Sequence, residues 1–188
     1  MRVLARLFSV IIWIMLFCSP SSAGETAIIG PDVAVQDNQI QVSTALTLND
    51  KSLAELRNGV TKELHFTIDL FRVWRIWPDE FVTGKAFVRT LKSDPVTLQY
   101  EAASADGSTI VRKKFKSFES MIEWALNIRN LNLTSVKELE KGSYFVRVTI
   151  ESKIRTLPPV IGYFMIFLPE NEFKIRQDSP YFRAGTRK

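Results

Sequence analysis

One cysteine and one histidine are all that this chain of 188 residues contains, and the two scarcities remove whole classes of chemistry. Cys18 lies inside an N-terminal apolar run. A chain cleaved after Ala23 therefore keeps no thiol, closes no disulfide and offers no thiolate to a metal. His65 alone leaves Ser-His and Cys-His mechanisms without their usual base unless that one residue serves, and it falls on the polar side of a strand pattern. A zinc site would have to be built from carboxylates almost alone, which that metal rarely accepts. Phosphate-cradling glycine loops, nucleophile elbows and dinucleotide fingerprints are all missing. No metal, no cofactor and no catalytic residue are expected, so stability has to come from packing.

An excess of one charge is missing too. Without Arg2 and Arg6 the 25 basic residues become 23 against 20 acidic ones, a net of +3 with the signs interspersed. That is a solubilising surface and not a nucleic-acid footprint, although it leaves peripheral contact with anionic lipid open. No period of 20 to 50 residues recurs, which excludes solenoid arrays.

Long hydrophobic runs are few, and the first reads as an export signal. Arg2 and Arg6 precede an apolar run of 12 residues, Leu7 to Cys18, interrupted by Ser9, and Ser21 and Ala23 are the small residues a signal peptidase requires. A spanning helix needs about 20 residues, so removal is expected; the alternative is an inner-membrane anchor through residues 7–18. Phe17 directly before Cys18 argues against lipid attachment there. The expected location is periplasmic or extracytoplasmic. About 165 residues remain, enough for one domain, placed at 24–175, followed by a basic tail at 176–188 whose last residues are expected to fray. The second apolar run, 160–168, is too short to span as a helix and reads as a buried strand or short helix.

What the chain does have is alternation. Leu64, Phe66, Ile68 and Leu70 share one face of a strand and His65, Thr67 and Asp69 the other; from Phe71 to Trp77 both faces turn apolar, as in a strand covered on both sides or re-aimed by a bulge. Tyr144, Val146, Val148, Ile150, Ser152 and Ile154 form the most regular inward set. Asp37-Asn38 suits a tight hairpin between strands at 32–36 and 39–48. Further strands are expected at 81–92, at 96–102 with Val96 and Leu98 inward, at 108–115 with Ile110 inward, and at 131–139. Helical spacing occurs twice: a short helix near 51–59 capped by Asn49 or Asp50, and an amphipathic helix at about 117–128 capped by Ser117. Short strands with turns between them predict a mainly β fold, an immunoglobulin-like antiparallel β-sandwich.

One constellation merits testing as a site. Arg72, Trp74, Arg75 and Trp77, with Asp69 just upstream, combine rings that stack on sugars or hold cations with guanidinium groups that fork onto carboxylate or phosphate. The competing expectation is structural: large aromatics are usually buried, so the tryptophans would fill the core and an arginine would pair with Asp69 or a carbonyl. Carboxylate pairs for acid–base work are weaker candidates, since Asp79-Glu80 reads as a turn and Glu119 with Glu123 as the solvated side of a helix.

AELRNGVTKELHFTIDLFRVWRIWPDE, VRTLKSDPVTLQY, SFESMIEWAL, GSYFVRVTIES and TLPP, in this order, resemble a bacterial family of exported proteins classed only as a domain of unknown function. The spacing within Arg72 to Trp77 differs somewhat from the usual pattern. The resemblance carries no catalytic residues, and its members are often encoded beside a membrane histidine kinase and its response regulator, which implies an envelope role. The expectation is a non-catalytic binding module for an envelope protein or component, with a membrane histidine kinase as one such partner; the alternative is a carboxylate-dependent, carbohydrate-active hydrolase.

Overall fold

The computed structural model describes residues 24–154 and 171–185. The export signal expected at 1–23 and the apolar run at 160–168 lie outside the described residues. Among the described residues, ten strands form two antiparallel sheets. The smaller joins β1 (Ala27–Gln36), β2 (Gln39–Thr47) and β7 (Asn127–Ser135) in the order β1-β2-β7. The larger is built on β3 (Lys62–Arg72), β4 (Glu80–Asp94), β5 (Gln99–Ala105), β6 (Ile110–Phe115) and β8 (Gly142–Ile154). Its order is β8-β3-β4-β5-β6, and the far edge of β8 carries β9 (Asn171–Asp178) and β10 (Phe182–Ala184) one after the other. Helices α1 (Asp50–Arg57) and α2 (Phe118–Leu126) complete an open sandwich, the mainly β, two-sheet architecture expected from the alternation.

Local chemistry explains most boundaries. Asp37 and Asn38 take φ of 51° and 61° between β1 and β2, the left-handed geometry these side chains tolerate. Asn49 caps α1 by accepting from Ser52 N at 2.8 Å, and Ser117 caps α2 by accepting from Ser120 N at 3.2 Å. The inward set of β3, Leu64 to Leu70, is sealed against that of β8, Val146 to Ile150, beneath Ile40, Val42 and Leu46 of β2. These side chains are buried, so truncating one to alanine is expected to cost about 2–5 kcal/mol. Met121 and Ala125 of α2 extend the same core.

Four expectations need correction. β3 stops at Arg72, because β4 starts opposite it at Glu80 and residues 73–79 make the connection; the bulge is real but sits on β4, where Val82 is the extra residue between Phe81 and Thr83. Val96 and Leu98 are exposed in a turn that Asp94 holds by accepting from Val96 N and Thr97 N, so β5 begins only at Gln99. Ile110 is exposed on β6, which is an edge strand of the larger sheet. The tail expected from 176 is part of the sheet through Ala184: β9 and β10 pair with β8, and Phe173 and Ile175 pack on the core.

Candidate functional site

At one end of the large sheet, β3, β4 and β8 present an aromatic row. Antiparallel register sets Phe71 beside Phe81 on one side and Phe145 on the other. The Phe71 and Phe145 rings stack at 5.3 Å, Phe81 meets Phe71 edge-on at 5.9 Å, and Tyr181 meets Phe145 edge-on at 5.7 Å. Geometries of this kind are worth about 0.5–1.5 kcal/mol each beyond burial. The Arg147 guanidinium lies over both stacked rings, 4.9 Å from Phe71 and 5.2 Å from Phe145.

Arg147 also centres the next row of the sheet, where Gly84, Asp69, Arg147 and Asp178 stand side by side. Its Nε and Nη2 donate to the two carboxylate oxygens of Asp178, each at 2.8 Å, a forked pair of the strong kind. That bond holds the Asp178 carboxyl below its ordinary range and the guanidinium above its own. Burial lifts the Asp69 carboxyl, and Arg147 pulls it down by less. Asp69 fits there because Gly84 leaves room: a β-carbon at Gly84 would overlap the Asp69 carboxylate.

Beyond the end of β3 the chain folds back on Arg72. The guanidinium donates to Glu140 at 2.7 Å and lies 4.4 Å from the centre of the Trp74 ring, while Trp74 Nε1 donates to Glu80 at 3.0 Å. The bond to Glu140 raises the affinity of Arg72 for its proton. Trp74 is thus fixed at both ends, its ring by a cation and its N–H by a carboxylate. It remains 42% exposed, with Ile76 at 88%, Trp77 at 75% and Phe81 at 57%, and Arg75 is exposed beside them. The tryptophans therefore do not fill the core. The polypeptide leaves the sheet before reaching them.

The five residues singled out from the sequence fall into three groups. Arg72 and Trp74 form one bonded unit with Glu80 and Glu140. Trp77 and Arg75 are exposed in the same connection. Asp69 belongs to the Arg147 row, so the arginine beside it is not one of the cluster. Sequence reasoning missed Phe81, Phe145, Arg147, Asp178 and Tyr181. The outward parity of Phe71 and Phe145 in two regular strands was the available signal for the first three.

Residues 25–179 match a family described as a domain of unknown function, DUF4390. The chain belongs to the DUF4390 family. Curated proteins and solved structures gave no match. Among the described residues of this DUF4390 chain, no three His, Cys, Asp or Glu side chains converge to hold a metal, and no helix is long and apolar enough to cross a membrane. His65 bonds Glu63 at 2.7 Å on the outer face of β3. Glu119 and Glu123 pair separately, with Arg57 and Arg129. Stacking surfaces and forked donors are what the Arg72–Trp77 end offers.

Proposed function

We propose that this DUF4390 chain is a non-catalytic binding module of the cell envelope, and that an envelope protein or other envelope component docks on the surface around Arg72, Trp74 and Trp77. The observation that carries this reading is the exposure of Trp77 and Ile76 beside a Trp74 pinned between Arg72 and Glu80. Tryptophan and arginine anchors supply most of the energy of typical interfaces, and a ring already held in place loses little freedom on binding. The envelope location is supported by Arg2, Arg6 and the apolar run from Leu7 to Cys18. A membrane histidine kinase is the first partner to test, on the strength of the family resemblance.

The experiment is recovery of partners from crosslinked envelopes with the wild-type chain and with Trp74→Ala/Trp77→Ala. A reproducible partner that the double variant fails to recover is expected. Equal recovery by both chains, or no reproducible partner, would remove the proposal.

A further inference from the structure

The large sheet is left unpaired along one stretch. β4 bonds to β3 along Glu80–Leu91, whereas β5 accompanies it only from Val88 to Asp94. Between Glu80 and Phe87, alternate residues direct N–H and C=O away from β3. Among the described residues no strand receives them. Unpaired strand edges invite another chain unless charge or shape defends them. β6, the last strand of the same sheet, carries Arg112, Lys113 and Lys114 in succession. The open half of β4 reads Glu-Phe-Val-Thr-Gly-Lys-Ala-Phe, with a single lysine, and Phe81, Val82 and Ala86 are exposed along it. One end of the sheet is defended against strand addition while this stretch is not.

Alongside that edge, between β4 and β7, lies a cleft of about 570 Å³. It is lined by three cations, Lys85, Arg89 and Arg129, and one carboxylate, Asp106. Asp106 is engaged in its own turn, accepting from the amides of Ser108 and Thr109. Arg89 is the unusual member. Its Nη1 donates to the carbonyls of Trp124, Ala125 and Asn127 at the end of α2, at 3.0, 2.8 and 3.0 Å, and its plane rests near Phe66, Phe87 and Trp124. Its Nε is buried without an acceptor, and none of the ion pairs among the described residues includes it. Burial lowers its pKa to about 10. A half-buried cation without a counter-charge, flanked by Lys85 and by an Arg129 that keeps one bond to Glu123 at 3.0 Å, is complementary to an anion.

We propose that the open edge of β4 takes an extended polypeptide segment of a partner protein as an added strand, continuing the line of β5 and setting an acidic side chain in the cleft against Lys85, Arg89 and Arg129. Main-chain hydrogen bonds would supply affinity, and alternate side chains entering the cleft would supply selectivity. The inference rests on the reading of the chain as a binding module, but it uses the strand edge, which meets the tryptophan surface only at Glu80 and Phe81, so different variants test the two.

The test is selection of a random decapeptide library on the full chain, followed by hydrogen exchange of the complex and titration of the best peptide. Enriched peptides are expected to carry an acidic residue, to protect amides between Glu80 and Phe87, and to lose about tenfold in affinity when that residue becomes lysine. Lys85 and Arg129 are exposed, so Lys85→Glu/Arg129→Glu is expected to fold and to reverse that preference. Arg75→Ala/Trp77→Ala is expected to bind the peptide unchanged. A selection that yields no binder, or binders whose protection maps to β6 or to residues 73–77, would overturn the inference. Persistence of a partner lost on Trp74→Ala/Trp77→Ala would then leave the binding-module reading standing.

Discussion

Lys62 Nζ donates to both carboxylate oxygens of Glu172 at 2.8 Å, joining residues 110 positions apart in the chain. Lys62 is 2% exposed, and Glu55 takes a third bond from it at 2.8 Å. Ser52 and Ser152 donate to the same Glu172 carboxylate at 2.6 and 2.9 Å. This network ties α1, β3, β8 and β9 together where hydrophobic packing alone would leave a charge without a partner. Removing one member of a buried ion pair strands the other, at a cost of about 3–5 kcal/mol. Lys62→Ala is expected to lose that much in denaturant unfolding. Lys62→Met/Glu172→Leu is expected to recover a large part of it, because apolar replacements of both partners remove the stranded charge.

The same network sets a dependence on pH. Burial alone would raise the Glu172 carboxyl, but the hydrogen bonds from Lys62, Ser52 and Ser152 outweigh it and hold the group below its ordinary range. In the unfolded chain Glu172 returns to about 4.3. Between the two values the unfolded state binds the extra proton, so this contribution to stability is complete above about pH 4.3 and disappears as pH falls through the folded value. Asp178, held low by Arg147, acts in the same direction. Glu172→Gln is expected to unfold more easily than the wild type at neutral pH, with the gap closing on acidification. A gap independent of pH between 6 and 3 would contradict the assignment.

Trp77 and Arg75 are surface groups, so Arg75→Ala/Trp77→Ala is expected to change the unfolding free energy by no more than about 0.5 kcal/mol. A loss of several kcal/mol, measured by urea titration, would return both residues to the core.

Gly84 and Asp69 are coupled by space. A methyl group at Gly84 would meet the Asp69 carboxylate, and its carbon would lie 3.2 Å from Ile68 O. Gly84→Ala is expected to cost about 1 kcal/mol in the wild-type background. With Asp69→Ala the same change is expected to be neutral or slightly stabilising, since alanine also narrows the unfolded ensemble. A double-mutant cycle measures the difference.

Most of the sandwich was legible in the sequence because its central strands obey a strict two-residue period. Leu64 to Leu70 and Tyr144 to Ile150 lie inward as their spacing requires, and Asn49, Ser117 and Asp37-Asn38 act as cap and turn chemistry dictates. Periodicity fails where a strand ends inside a pattern that continues. Val96 and Leu98 keep the alternation of β5, yet Asp94 draws their backbone into a turn. Trp74, Ile76 and Trp77 keep the apolar character of β3 beyond Arg72, where strand pairing has ended and the side chains are exposed. β9 was hidden for the opposite reason. Lys174 and Arg176 make its composition polar, although Phe173 and Ile175 alternate with them and pack on the core. Half of the candidate site was legible as well, since Arg72 and Trp74 belong together. The Arg147–Asp178 fork joins residues 31 apart through strand pairing, which local patterns do not encode.

The measurement that tests the account most directly is site-specific photo-crosslinking in intact cells, with the reactive group placed at Trp77 and, as a control, at Lys113 on β6. Because the Arg72–Trp74 end is read as the contact surface, position 77 is expected to give a discrete adduct that position 113 lacks and that Trp74→Ala abolishes. The same adduct pattern from both positions, or no adduct at 77, would contradict it.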